Sequence, residues 1–93
     1  MTTLRVLIVD DETLARSRLR TLLGDCKAPA ASVEGEAANA TQAIELLRRQ
    51  PYDLALLDIH MPGADGLTLA QTLHTLSHPP AVVFVTAHAE HAV

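Results

Sequence analysis

Aromatic side chains are nearly missing from these 93 residues, for Tyr52 and Phe84 are the whole set and there is no tryptophan. That excludes a stacking platform for single-stranded nucleic acid, which needs successive aromatic faces. Cysteine is scarcer still: Cys26 stands alone, so no internal disulfide can form and a reducing compartment fits. Cys26 reads as a small residue near a helix end. Basic residues are few, seven Lys and Arg against eleven Asp and Glu, for a net charge of −4. This argues against a surface for nucleic acid or anionic lipid. No apolar run approaches the roughly 18 residues of a membrane span. Nor does the N-terminus carry the charged start, apolar stretch and cleavage site of a secretory signal. The expectation is one soluble, cytoplasmic domain over residues 1–93.

What the chain does have is apolar residues, 48% of the total, enough for one modest core. A domain of this size buries about two-thirds of the surface that its unfolded chain exposes. The richest stretch runs from Leu54 to Gly66, Leu-Ala-Leu-Leu-Asp-Ile-His-Met-Pro-Gly-Ala-Asp-Gly. Its first part is apolar at successive positions, as in a strand covered on both faces, and Asp58 ends it. A second acidic group follows an earlier apolar run, where Leu4 to Val9 leads into Asp10-Asp11-Glu12. In open α/β sheets ligands bind beyond the carboxyl ends of the strands. Carboxylates gathered there repel one another unless a cation offsets them. Mg²⁺, a hard ion held by oxygen, suits that role, which points to a Mg²⁺-dependent phosphoryl site.

In order, Leu4–Val9 is predicted as the first strand, with Asp10 or Asp11 at a helix N-cap. Ala15, Leu19, Leu22 and Leu23 form the apolar face of the following helix, closed by Gly24. Arg16, Arg18 and Arg20 are two apart and are expected on a solvated face. After a loop from Lys27, Ser32–Ala37 is a short polar strand suited to a sheet edge. Asn39 and Gln42 resemble a capping arrangement for a helix that Pro51 stops. Asp53–Asp58 is the third strand. Asp65 or Gly66 opens a third helix carrying Leu69, Leu73 and Leu76, which Pro79 and Pro80 end. Ala81–Val85 is the fourth strand, and Ala87–Val93 would open a fourth helix. Strands alternating with helices predict a parallel sheet with right-handed crossovers.

Three stretches together, Val9-Asp10-Asp11-Glu12, Leu57 to Gly66 and Val85-Thr86-Ala87, resemble in order and spacing the bacterial response-regulator receiver domain. Leu14-Ala15-Arg16 and the tail Ala87 to Val93 are most similar to the AlgR/LytR type. The resemblance implies an α/β, flavodoxin-like receiver fold, here with strand order 2-1-3-4 and ending before strand 5. It implies that Asp58 accepts a phosphoryl group from a sensor histidine kinase. Asp10, Asp11, Asp58 and the backbone carbonyl of His60 would bind Mg²⁺, and Thr86 would contact the phosphoryl oxygens. Receivers also carry a lysine on a fifth strand, which this sequence does not reach. The residues Val82 to Val85 are then an uncovered edge, and either a homodimer or a domain-swapped assembly through strand 4 and helix 4 is expected. Regulators of this type have a DNA-binding output domain after the receiver, so DNA contact is expected of a longer parent and not of these residues.

Two other classes compete. A Mg²⁺-dependent phosphohydrolase also uses an aspartyl nucleophile, but His60 stands where such enzymes place a second acid, and no cap insertion is present. A phosphorylation-independent dimerisation module is the third reading. The pairs His74/His78 and His88/His91 have spacings that could serve zinc, although a zinc site needs three or four ligands. Gly63 and Gly66 fit backbone turns, since no P-loop pattern surrounds them.

Overall fold

A computed structural model describes residues 3–27, 30–59 and 66–85. Its elements are β1 (Leu4–Val9), α1 (Thr13–Gly24), β2 (Ala31–Ala37), α2 (Ala40–Arg49), β3 (Leu54–Asp58), α3 (Gly66–Leu73) and β4 (Ala81–Val85). The four strands are parallel, in the order β2-β1-β3-β4. This is the expected receiver topology, with the apolar strands β1 and β3 in the middle and the polar β2 at one edge.

Alternation along β1 sorts its side chains into two cores. Leu7 and Val9 join Ala55, Leu57, Leu69 and Leu73 on the face covered by α2 and α3. Val6 and Ile8 join Leu56 on the other face, where Leu19 and Leu23 of α1 pack. A strand with both faces buried cannot alternate polar with apolar, which is why β1 and β3 read as continuous apolar runs.

The N-terminus of α2 follows the sequence closely. Asn39 accepts the N–H of Gln42 at 2.9 Å, and the Gln42 side chain accepts the N–H of Ala38 at 2.8 Å. Two donors without helical partners are thereby satisfied, as in a capping box. Elsewhere the helix ends differ from expectation. The N-cap position of α1 is Glu12, not Asp10 or Asp11, and Gly24 is the last helical residue with Asp25 as C-cap. Helix α3 stops at Leu73, well before Pro79, because the Thr72 carbonyl accepts both the N–H and the hydroxyl of Thr75, at 3.0 and 2.6 Å. That tighter turn closes the helix locally.

Leu22 is also placed differently, for it is 64% exposed although its spacing assigned it to the buried face. Helix α1 meets the sheet through Leu19 and Leu23, which rotates Leu22 outward. At the other end of the sheet Val83 and Phe84 of β4 are partly exposed, and β4 is an edge among the described residues. The expected fourth helix lies outside the described residues.

Candidate functional site

Parallel pairing brings the two acidic strand ends together. Val9 of β1 is in register with Leu57 of β3, so the next residues, Asp10 and Asp58, leave the sheet side by side. Both are 2% exposed, whereas Asp11 and Glu12 are exposed. Two carboxylates are thus buried at the carboxyl edge of the central strands, where α/β sheets open their binding crevice.

Asp10 is fixed at three of its atoms. Its N–H donates to the Ala37 carbonyl at 3.0 Å, continuing the β1–β2 ladder. Its Oδ1 accepts the N–H of Glu12 at 2.9 Å, and its carbonyl accepts Nη1 of Arg16 at 2.6 Å. The bond to Glu12 is a side-chain turn of the kind Asp readily makes. It places the turn before the helix, which is why Glu12 and not an aspartate occupies the cap position, without a capping bond from its own side chain.

Burial pushes the Asp10 carboxyl above its usual value; the Glu12 N–H opposes the shift, and the charges of Asp58, Asp11 and Glu12 add to it. Carboxylate oxygens of Asp10, Asp11 and Glu12 lie within 4.8 Å of one another. An all-oxygen donor set on a short turn, one member buried and two facing water, fits a Mg²⁺ that keeps several of its waters. A cation there would offset the mutual repulsion of the carboxylates.

Of the expected site residues, the structure brings together Asp10, Asp11 and Asp58, with Asp58 beside the close acidic group rather than in it. Glu12 joins that group although the sequence reading gave it no role; its place in an unbroken acidic run was the available signal. His60 and Thr86 lie outside the described residues. The zinc alternative gains nothing from His74 and His78, both exposed and beyond the end of α3. Among the described residues no histidine joins a group able to hold a metal. His88 and His91 are outside them.

Arginines 16 and 20 do not form a purely solvated face. Arg16 Nε lies 3.2 Å from Glu36 on β2, and its side chain is only 16% exposed. Arg20 Nε donates to the same carboxylate at 2.8 Å. Hydrogen bonding from Arg20, with smaller help from Arg16, holds the Glu36 carboxyl below the usual range.

Comparison with known proteins gives concordant matches. The model of the response regulator receiver domain matches residues 6–93. The positive alginate biosynthesis regulatory protein of Pseudomonas aeruginosa is 47% identical over 90 residues, covering 97% of this chain and 36% of that protein. The sensory transduction protein LytT of Bacillus subtilis is 43% identical over 91 residues, covering 97% and 36%. Among solved structures, the signal receiver domain of a NarL response regulator from Mycobacterium tuberculosis superposes with a TM-score of 0.82 at 34% identity. That match covers 99% of this chain and 73% of the other. The chain spans 36% of the length of the two curated relatives named. No described helix is long and apolar enough to cross a membrane.

Proposed function

The chain belongs to the response regulator receiver domain family, and from that premise we propose that Asp58 is the phosphoacceptor of a two-component system. Response regulators are phosphorylated by sensor histidine kinases, and such a kinase is the proposed donor. The observation that carries the reading is the burial of Asp58 beside Asp10 at the carboxyl end of the central strands.

In this reading a carboxylate oxygen of Asp58 attacks phosphorus in line. The bond from phosphorus to the kinase histidine nitrogen breaks, and an acyl phosphate forms on Asp58. Positioning and charge stabilisation are most of what such a transfer requires. Asp10 and Asp11, with Asp58 and the His60 carbonyl, would hold Mg²⁺, and Glu12 is close enough to contribute through water. When bound, the ion neutralises charge on the transferred oxygens. Thr86 would donate its hydroxyl to the phosphoryl group. Phosphorylation adds about −1.5 to −2 charge, enough to bias a segment whose two arrangements differ by a few kcal/mol.

We read residues 1–93 as the receiver part of a longer, cytoplasmic transcription regulator whose DNA contact lies elsewhere. Strand β4, an edge among the described residues with Val83 and Phe84 partly exposed, supports a homodimer formed through this strand, in exchanged or unexchanged form. A strictly monomeric mass at high protein concentration would sink the dimer.

The function is tested by turnover. With acetyl phosphate and Mg²⁺, a receiver takes up one phosphoryl group and does not go on to cleave p-nitrophenyl phosphate. Repeated turnover of that ester, abolished by Asp58→Asn, would instead mark a phosphohydrolase.

A further inference from the structure

We propose that Arg16 is a positioning residue for the acidic turn: its guanidinium fixes the Asp10 carbonyl and thereby sets the Asp10 and Asp11 carboxylates for a divalent cation. The inference rests on the reading of those carboxylates as a Mg²⁺ site, and it assigns a role to a residue outside that site.

Arg16 reaches three structures at once. Nη1 donates to the Asp10 carbonyl at 2.6 Å, Nη2 to the Thr13 hydroxyl at 3.2 Å, and Nε to Glu36 Oε1 at 3.2 Å. The acidic turn, the first turn of α1 and the strand β2 therefore meet at one planar cation. A guanidinium suits this because its donors stand in a fixed fork, whereas an ammonium is a single point on a flexible stem. The Arg16 backbone N–H also donates to the Glu12 carbonyl at 3.1 Å, so both ends of the turn are tied to this residue.

Glu36 is what keeps Arg16 in place. Its carboxylate is shared with Arg20, and it lies in register with Ile8 on the β2 strand that also receives the Asp10 N–H. Losing Arg16 leaves Asp10 with its N–H and Oδ1 bonds but frees the carbonyl, and the peptide joining Asp10 to Asp11 can then rotate. The effect falls on the relative placement of two carboxylates rather than on either one's chemistry.

Charge and position predict opposite signs, which makes the role testable. Deleting a cation near a Mg²⁺ site strengthens binding if only Coulomb forces matter. Deleting a residue that orients ligands weakens it, typically on the order of 10-fold or more.

The experiment is isothermal titration of the 93-residue chain with Mg²⁺, for the wild type, Arg16→Ala, Arg16→Lys and Arg20→Ala, with circular dichroism to establish folding. The expected result is a Mg²⁺ affinity lowered on the order of 10-fold in Arg16→Ala, an intermediate loss in Arg16→Lys, and no change in Arg20→Ala. The last variant loses a similar pair to Glu36 but no bond to Asp10. Unchanged or tighter binding by folded Arg16→Ala overturns the proposal. Should Arg16→Ala fail to fold, Arg16→Lys decides: weaker binding upholds the proposal and wild-type binding overturns it. A folded wild type that takes up no Mg²⁺ overturns the metal reading and this inference together, whereas Mg²⁺ binding indifferent to Arg16 overturns this inference alone.

Discussion

Tyr52 stands against Gly35: its hydroxyl donates to the Glu34 carbonyl at 3.4 Å, and its Cζ lies 3.2 Å from where a Cβ on Gly35 would be. The register of β1 with β2 shifts here, because Val6 pairs with Val33 but Leu7 with Gly35, leaving Glu34 unmatched. The hydroxyl gives that bulged residue's carbonyl a partner, and only a glycine leaves room for the ring. Gly35→Ala is expected to destabilise the chain by about 1–3 kcal/mol through overpacking. In a Tyr52→Phe background the same change should cost less, since the nearest obstructing atom is gone. Urea unfolding of the four proteins measures the coupling, and strictly additive costs would contradict the close packing.

Asp10→Asn should stabilise the metal-free chain, because it removes a buried charge among like charges yet keeps an oxygen for the Glu12 N–H. Mg²⁺ should then raise the urea midpoint of the wild type and leave that of the variant unmoved, since only a ligand that binds the folded state stabilises it.

Asp53 links the start of β3 to β1 by accepting the Arg5 backbone N–H at 2.8 Å and its Nε and Nη2 at 3.2 Å. The Arg5 side chain, and next its backbone N–H, hold the Asp53 carboxyl below its usual value. A carboxyl depressed in the folded state adds stability that is present above its unfolded pKa, about 3.9, and lost as pH falls through the lower folded value. Asp53→Asn should therefore flatten the loss of stability below about pH 4. Both side chains are substantially exposed, so the contribution is small and shrinks in high salt. Denaturant midpoints at two pH values and two salt concentrations measure it.

Leu73 and Leu22 bracket the helix contributions. Leu73 is 1% exposed in the core under α3, and Leu73→Ala is expected to cost about 2–5 kcal/mol. Leu22→Ser should stay within roughly 0.5 kcal/mol, as a surface change does. Equal costs in chemical denaturation would place α1 differently on the sheet.

The sequence carried the parts of this fold that depend on local or periodic signals. Strands β1 and β3 were legible because both faces are buried, and the start of α2 because Asn39 and Gln42 cap it within four residues. The pairing of Asp10 with Asp58 followed from placing two strand ends in one parallel sheet. Leu22 faces solvent although four apolar positions define a broad stripe, because the sheet contact centres on Leu19 and Leu23, toward Arg16 and Arg20. The role of those arginines is not legible within the helix for a different reason: their partner Glu36 lies 20 and 16 residues away on strand β2, and no spacing rule within a helix reports it. The end of α3 at Leu73 was set by the Thr72–Thr75 turn, a side-chain effect weaker in sequence than the prolines that follow.

The most direct test of the central claim is the intact mass of the chain after incubation with acetyl phosphate and Mg²⁺, beside Asp58→Asn and a sample without the metal. The account predicts one added phosphoryl group on the wild type, absent from Asp58→Asn and strongly reduced without Mg²⁺. A folded wild type that gains no mass, or an Asp58→Asn variant that gains it equally, would contradict the assignment of Asp58 as phosphoacceptor.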